Sequence, residues 1–319
     1  MPVLRRVPLT RDEFGRPLPR TSSRLYSTRI NGARIVFSMN PAPASAPILL
    51  YLHGGPGDAC IPLTERYNAG LERHFRFINF DQRGCGLSYY PFGPSEHITI
   101  DLMLADLLEL VRRLKTAYPQ APITLLGHSW GSVLGLEFAS RYPQLIRRYI
   151  GVGQVVSMPL SHRVRSHPLR GPLPAHLRRL FSTESDVADL LLRFDELKGT
   201  GGWLSLWQDV VRSGTYVSSR AYGWQGVRGL LLGAHQSHAA LDAELDQVDF
   251  TALTHFAVPV CFVEGRHDRH LPGELVQMYA DTLTSPHYVA WFEHSAHCPQ
   301  WEEPARFCNL VTQLCQNGS

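Results

Sequence analysis

Lysine is almost missing from this chain: Lys115 and Lys198 are the only two, and arginine supplies the rest of the 31 basic side chains. That skew reads as a compositional bias of the source genome. The balance of charge is nearly even, with a formal net charge of +3, too mild to attract a polyanion, so no nucleic-acid partner is expected. Nor does any apolar run approach the roughly 18 residues of a membrane span, so no membrane partner is expected either. The opening stretch, MPVLRRVPLTRDEFGRPLPR, lacks the continuous apolar segment of an export signal. The six cysteines (Cys60, Cys85, Cys261, Cys298, Cys308 and Cys315) include no C-x-x-C pair. Their irregular spacing points to reduced thiols and a cytoplasmic protein. Fifteen histidines invite a metal, and His267/His270 and His294/His297 repeat at i, i+3. With no H-E-x-x-H and no cysteine cluster beside them, neither a metal nor another cofactor is expected. Internal repeats and low-complexity tracts are absent as well.

What is present is core material: 44% apolar residues against 18% charged, enough to exclude a disordered chain. At 319 residues the length suits two domains, or one large α/β unit with an insertion. After a polar, Arg-rich lead-in, short apolar runs read as strands at 33–39, 47–53, 75–80, 122–127, 148–152, 261–264 and 288–292. Helical spacing appears at 101–117, 132–142 and 303–314. Strands alternating with helices predict an α/β fold whose mostly parallel sheet carries helices on both faces. Residues 155–250 break the rhythm: strand-like runs nearly vanish and helical patterns appear at 185–197 and 202–211. The expected organisation is therefore a core formed by 1–154 and 251–319, with a helical cap inserted at 155–250.

The chemistry concentrates in Gly127-His128-Ser129-Trp130-Gly131, a G-x-S-x-G pattern. By itself the pattern arises often enough by chance. Here it joins a strand (PITLL) to a helix (SVLGLEFASRY), the setting in which a serine nucleophile sits on a tight turn. Small residues are needed on both sides because the backbone there is strained and closely approached. Such a serine requires a base, and the base an orienting acid, in the chain order Ser, acid, His. Asp268 follows a late strand and suits the acid; Glu264 falls too early, at the end of that strand. His294 directly follows the next strand and is the favoured base, with His297 its competitor. For a developing oxyanion, one donor is the N–H of Trp130. The other is expected from the His53-Gly54-Gly55-Pro56-Gly57 loop, with Gly55 the choice.

HGGPG, then DQRGCGLS at 81–88, then GHSWGS, then EHSAH together resemble the proline iminopeptidase (prolyl aminopeptidase) branch of the α/β-hydrolases. The similarity spans 47–153 and 258–304. It implies the α/β-hydrolase fold with a helical cap, Ser129 as nucleophile, Asp268 as acid and His294 as base. It also implies an acyl-enzyme mechanism and an N-terminal residue of a short peptide as substrate. DQRGCGLS is expected to be architectural.

The chain departs from that family in the cap. Family peptidases resemble one another in a Trp-x-x-Trp-Glu element whose carboxylate binds the substrate amine. This chain has Trp203, Trp207 and Gln208, with one extra residue between the tryptophans and an amide in place of the acid. Gln208 offers a hydrogen-bond acceptor without a charge. Trp203 and Trp207 share one helix face and are candidate substrate contacts, with core packing of the cap as the alternative. Two substrate readings follow: an exopeptidase acting on short peptides, or a carboxylesterase acting on small acyl esters. A catalytically silent ligand-binding relative is a third reading, against which the intact order of the triad argues. Oligomeric state is open.

Overall fold

The computed structural model of the chain describes residues 11–165, 210, 214–217, 219 and 221–316. Its strands are β1 (Arg24–Ile30), β2 (Ala33–Met39), β3 (Ile48–Leu52), β4 (Arg76–Asp81), β5 (Ile123–His128), β6 (Arg148–Val152), β7 (Val260–Gly265) and β8 (His287–Phe292). They form one sheet in the order β1-β2-β4-β3-β5-β6-β7-β8, antiparallel at β1/β2 and β2/β4 and parallel thereafter. Eight α-helices accompany them among the described residues: α1 (Ile61–Tyr67), α2 (Ile100–Ala117), α3 (Trp130–Arg141), α4 (Met158–Arg165), α5 (Gly223–Leu245), α6 (Gly273–Ala280), α7 (Pro299–Glu302) and α8 (Pro304–Gln316). None is long and apolar enough to cross a membrane.

The central strands are buried on both faces, which is why they read as apolar runs instead of alternating patterns. In β3, Ile48, Leu50 and Leu52 enter one core cluster while Leu49 and Tyr51 enter the other. The first cluster gathers apolar residues of α2, α3 and α6, and the second those of α1, α7 and α8. α2 begins where the Thr99 hydroxyl accepts the Leu102 N–H at 3.1 Å. It buries Leu104, Leu107, Leu110, Val111 and Leu114 at helical spacing. β1 lies inside the stretch that read as polar lead-in. It is an edge strand with only Ile30 buried, so no apolar pattern marks it. Asn31 (φ 44°) and Gly32 (φ 84°) turn it into β2.

Between β6 and β7 the described residues hold α4 and α5 and no strand. The two ends of this segment are pinned together: Met158 N–H donates to the Val248 carbonyl at 2.9 Å and Phe250 N–H to the Val156 carbonyl at 2.8 Å. The helical patterns expected at 185–197 and 202–211 lie outside the described residues, Val210 excepted. α5 docks through its small residues. Gly226, Gly229, Gly233 and Ser237 are its buried positions together with Leu241. A Cβ at Gly229 would strike the Gly86 carbonyl, and one at Gly233 would fall 2.5 Å from the Cys85 Cα. Tyr222, at the head of the helix, donates its hydroxyl to Asp81 at 2.6 Å.

The loop after β4 that receives α5 is anchored by a buried ion pair. Arg83 reaches both oxygens of Asp106 on α2 at 2.8 Å and also donates to the Asn31 carbonyl at 3.1 Å. Removing one member leaves an uncompensated charge in a dry site. Asp106→Ala is expected to lower stability by about 3–5 kcal/mol in urea unfolding, while the double substitution Arg83→Met/Asp106→Leu recovers much of that loss.

Candidate active site

Ser129 stands between β5 and α3 with φ 53° and ψ −122°, one of two non-glycine residues at positive φ among those described. The turn closes because both flanking glycines are overrun by backbone. A Cβ at Gly127 would lie 2.5 Å from the Gly131 carbonyl oxygen, and one at Gly131 would fall on the Leu52 carbonyl oxygen. The side chain of Ser129 is thereby held at the end of the sheet, and the residue is 7% exposed. Trp130 is the first residue of α3, so its N–H has no acceptor one turn back.

Asp268 and a histidine meet at the ends of β7 and β8. The histidine is His297: its Nδ1 lies 2.7 Å from Asp268 Oδ2. The other carboxylate oxygen, Oδ1, accepts the N–H groups of His270 (2.8 Å) and Leu271 (3.0 Å). Burial alone would raise the Asp268 pKa. The charge and hydrogen bond of His297, with the two backbone donors, outweigh it and hold the carboxyl below its ordinary value. Burial likewise opposes a charge on His297, yet Asp268 wins and its pKa is raised.

His294, the expected partner, is exposed and does not meet Asp268. The reason lies in the turn after β8. Glu293 faces outward to pair with Arg266 at 3.0 Å, and His294 follows it out. The chain then tucks back. Ser295 Oγ donates to Glu303 at 2.7 Å, and the N–H groups of Ala296 (3.0 Å) and Cys298 (2.9 Å) donate to Glu302. This carries the 297 side chain inward. Glu264 lies in β7, fully buried, with one oxygen accepting the Gln154 N–H at 3.1 Å and its pKa pushed well up by burial. It takes no part in the pair.

The HGGPG loop runs beside the serine. A Cβ at Gly54 would sit 3.3 Å from that of Ser129. Gly55 has φ +115°, a value only glycine adopts easily. The 81–88 stretch braces this loop against the turn, through a residue whose role sequence reasoning did not single out. Gln82 accepts the Trp130 indole N–H at 2.9 Å and donates its amide to the His53 carbonyl at 3.0 Å. Its backbone N–H donates to His53 Nε2 at 3.0 Å, so His53 keeps its proton on Nδ1 and donates it to the Gly54 carbonyl at 2.8 Å. Burial lowers the His53 pKa to about 4 and keeps that arrangement neutral.

Ser129, Gly55, Asp268 and His297 all line one cavity of about 1240 Å³. α5 walls it with Val227, Leu230, Leu231, Ala234 and His238, an i, i+3, i+4, i+7, i+11 face beside the one that docks on the core. Asp58, three residues after Gly55, also lines it, and no hydrogen bond to its carboxylate is found among the described residues. Burial raises its pKa, while His238 and His297 act in the opposite direction. Cys60 and Cys298 line it too; burial pushes both thiols well up, so they stay protonated. Trp203, Trp207 and Gln208 lie outside the described residues. Gly131→Ala would drive a methyl into the β3 carbonyls. It is expected to lower stability by about 1–3 kcal/mol or more in urea unfolding, with a smaller m-value if the turn opens.

A model of the alpha/beta hydrolase fold matches residues 47–304. A probable aminopeptidase, YbaC, of Bacillus subtilis is 30% identical over 298 residues, covering 89% of this chain and 93% of that protein. A proline iminopeptidase of Saccharolobus solfataricus is 26% identical over 306 residues, 90% of each chain. Among solved structures, a proline iminopeptidase-related protein of Thermus thermophilus superposes with a TM-score of 0.62 at 22% identity, covering 91% of this chain and 96% of that one. The chain is therefore a hydrolase and belongs to the α/β-hydrolase family, in its proline iminopeptidase-like branch.

Proposed function

We propose that this hydrolase works through an acyl-enzyme, with Ser129 as nucleophile, His297 as general base and Asp268 as the orienting acid. The observation that carries the reading is the Asp268–His297 bond, formed on the same cavity as a serine held at positive φ. Because Nδ1 is committed to Asp268, Nε2 is the nitrogen left to accept the serine proton. Ser129 Oγ bonds to the acyl carbon as its proton passes to His297, and the carbonyl oxygen becomes an oxyanion. The N–H groups of Gly55 and Trp130 receive that charge, the second reinforced by the N-terminus of α3. The C–N or C–O bond then breaks as His297 hands the proton to the leaving group. Water repeats the sequence in reverse and frees the acid and the serine. Gln82 holds the two oxyanion donors in register.

The substrate we infer is a short peptide with a free N-terminus, as the name of the Bacillus relative suggests, proline being the residue in the name of the Saccharolobus one. Asp58 supports this, since it lines the cavity with a carboxylate that accepts no hydrogen bond among the described residues. Residues 155–250 are proposed to form the cap over the cavity, an assignment supported by the pinning of 156–158 to 248–250. The six free thiols agree with a cytoplasmic setting.

Ser129→Ala and His297→Ala are each expected to lower kcat by about 10³-fold or more, while His294→Ala stays within about twofold of the parent. The base must be neutral, and its pKa is raised. The rate is therefore lost as pH falls through a value above the ordinary histidine pKa of about 6.5, seen as the acid limb of kcat/KM. A proline anilide compared with a short-chain nitrophenyl ester tests the substrate. Anilide turnover whose KM rises about tenfold in Asp58→Asn, with the ester unaffected, is expected. Ester turnover with a silent anilide would replace the peptidase reading with an esterase.

A further inference from the structure

His128, the residue before the nucleophile, is 5% exposed and ends β5. Its Nε2 lies 2.9 Å from the backbone carbonyl oxygen of His297. A carbonyl only accepts, so the proton must sit on Nε2, and Nδ1 is left as a bare lone pair. That Nδ1 has no hydrogen-bond partner among the described residues and faces Gly54, where a Cβ would approach it to 3.2 Å. The ring is wedged between the His297 imidazole, 4.9 Å away by centroids, and the Trp301 indole at 5.5 Å. A buried imidazole with one nitrogen unsatisfied costs stability, and a glycine or an apolar side chain would avoid that cost. What it provides in return is one N–H aimed at the backbone of a residue 169 positions away in the chain.

A separate set of contacts acts on the ring of His297. Asp268 holds Nδ1, the His270 ring stands edge-on at 4.9 Å, and a Cβ on Gly153 would come within 3.0 Å of Cε1. Those fix the tilt of the imidazole, Glu302 holds the N–H groups of Ala296 and Cys298 on either side of it, and His128 holds the carbonyl of His297 itself. His128 is joined directly to Ser129, so a bond from its ring to the 297 carbonyl sets the base relative to the nucleophile through a single side chain. We propose that His128 is a positioning residue for the reaction, its Nε2–H fixing the backbone of His297 relative to Ser129. This rests on the assignment of His297 as base. The donor must also remain uncharged while His297 becomes an imidazolium 4.9 Å away, and burial with that neighbour holds the His128 pKa down to about 3.

The test compares two amides that differ in reach. In His128→Gln the side-chain amide can approach the position of Nε2 and donate to the 297 carbonyl; in His128→Asn it falls short. His128→Leu fills the space with no donor. Each is assayed with whichever of the anilide and the ester the parent enzyme turns over, with Ser129→Ala as blank. Leu and Asn are expected to lower kcat by about tenfold to a hundredfold at nearly constant KM. Their acid limb of kcat/KM should drop towards the ordinary histidine value as the Asp268–His297 pair loosens. Gln should restore kcat to within about threefold and return the limb. Equal activity of Leu, Asn and Gln at the parent level would overturn the proposal. So would equal losses in all three that follow their melting temperatures with an unmoved pH limb. If Ser129→Ala or His297→Ala retains full activity, the triad assignment itself fails, an outcome distinct from either pattern at position 128.

Discussion

The turn at Ser129 rests on backbone meeting backbone. Gly131 lies so close to the end of β3 that even a methyl group would occupy the place of the Leu52 carbonyl. This contact seats α3 directly on the sheet and leaves the serine, which lines the cavity, at positive φ. Strain of that kind persists only where the surroundings over-determine it. Here they do so from three sides: β3, the HGGPG loop and the end of β6, whose Val152 carbonyl accepts the Ser129 N–H at 3.0 Å.

Around the turn, three neutral polar side chains translate this fixed point into fixed neighbours. Gln82 and His53 lock the glycine loop to α3, and His128 locks the loop that carries His297. Both histidines are kept uncharged by burial, at about 4 and about 3. The choice of neutral groups has an electrostatic sense. In the proposed mechanism a permanent cation beside His297 would oppose the imidazolium that forms there. Asp268 is paired with His297, and Arg83 with Asp106.

Much of this was legible in the sequence because it depends on local rules. β2 covers the same residues as the apolar run at 33–39, and β3 to β8 fall within one or two residues of theirs, since strands buried on both faces leave little else in the pattern. The α/β class follows from the same alternation, and the hydrolase fold from the resemblance that the motifs carry. β1 was hidden by its exposure, although Asn31-Gly32 is the short-range signal that marks its hairpin. The histidine that meets Asp268 was misplaced for a different reason. The rule that the histidine directly follows the strand takes no account of Glu293 turning out to Arg266, or of Glu302 and Glu303 drawing 295–298 inward. Two histidines three apart are separable only once that turn is known. Gln82, His128 and Asp58 act through contacts across dozens of residues or through a shared wall, and no local pattern announces such contacts.

The long helix α5 presents two adjacent faces with different obligations. One, at Gly226, Gly229 and Gly233, allows no side chain, because the core loops press against it; the other, at Val227, Leu230 and Leu231, looks into the cavity. Height and shape of the cavity are thus governed by separate positions of a single element. Substituting the cavity-facing residues would re-contour the wall while the helix keeps its seat, whereas any side chain on the glycine face would lift the whole helix. A lineage of such hydrolases can change what the cavity accepts through the cavity-facing positions, with the seat of α5 on the core inherited unchanged.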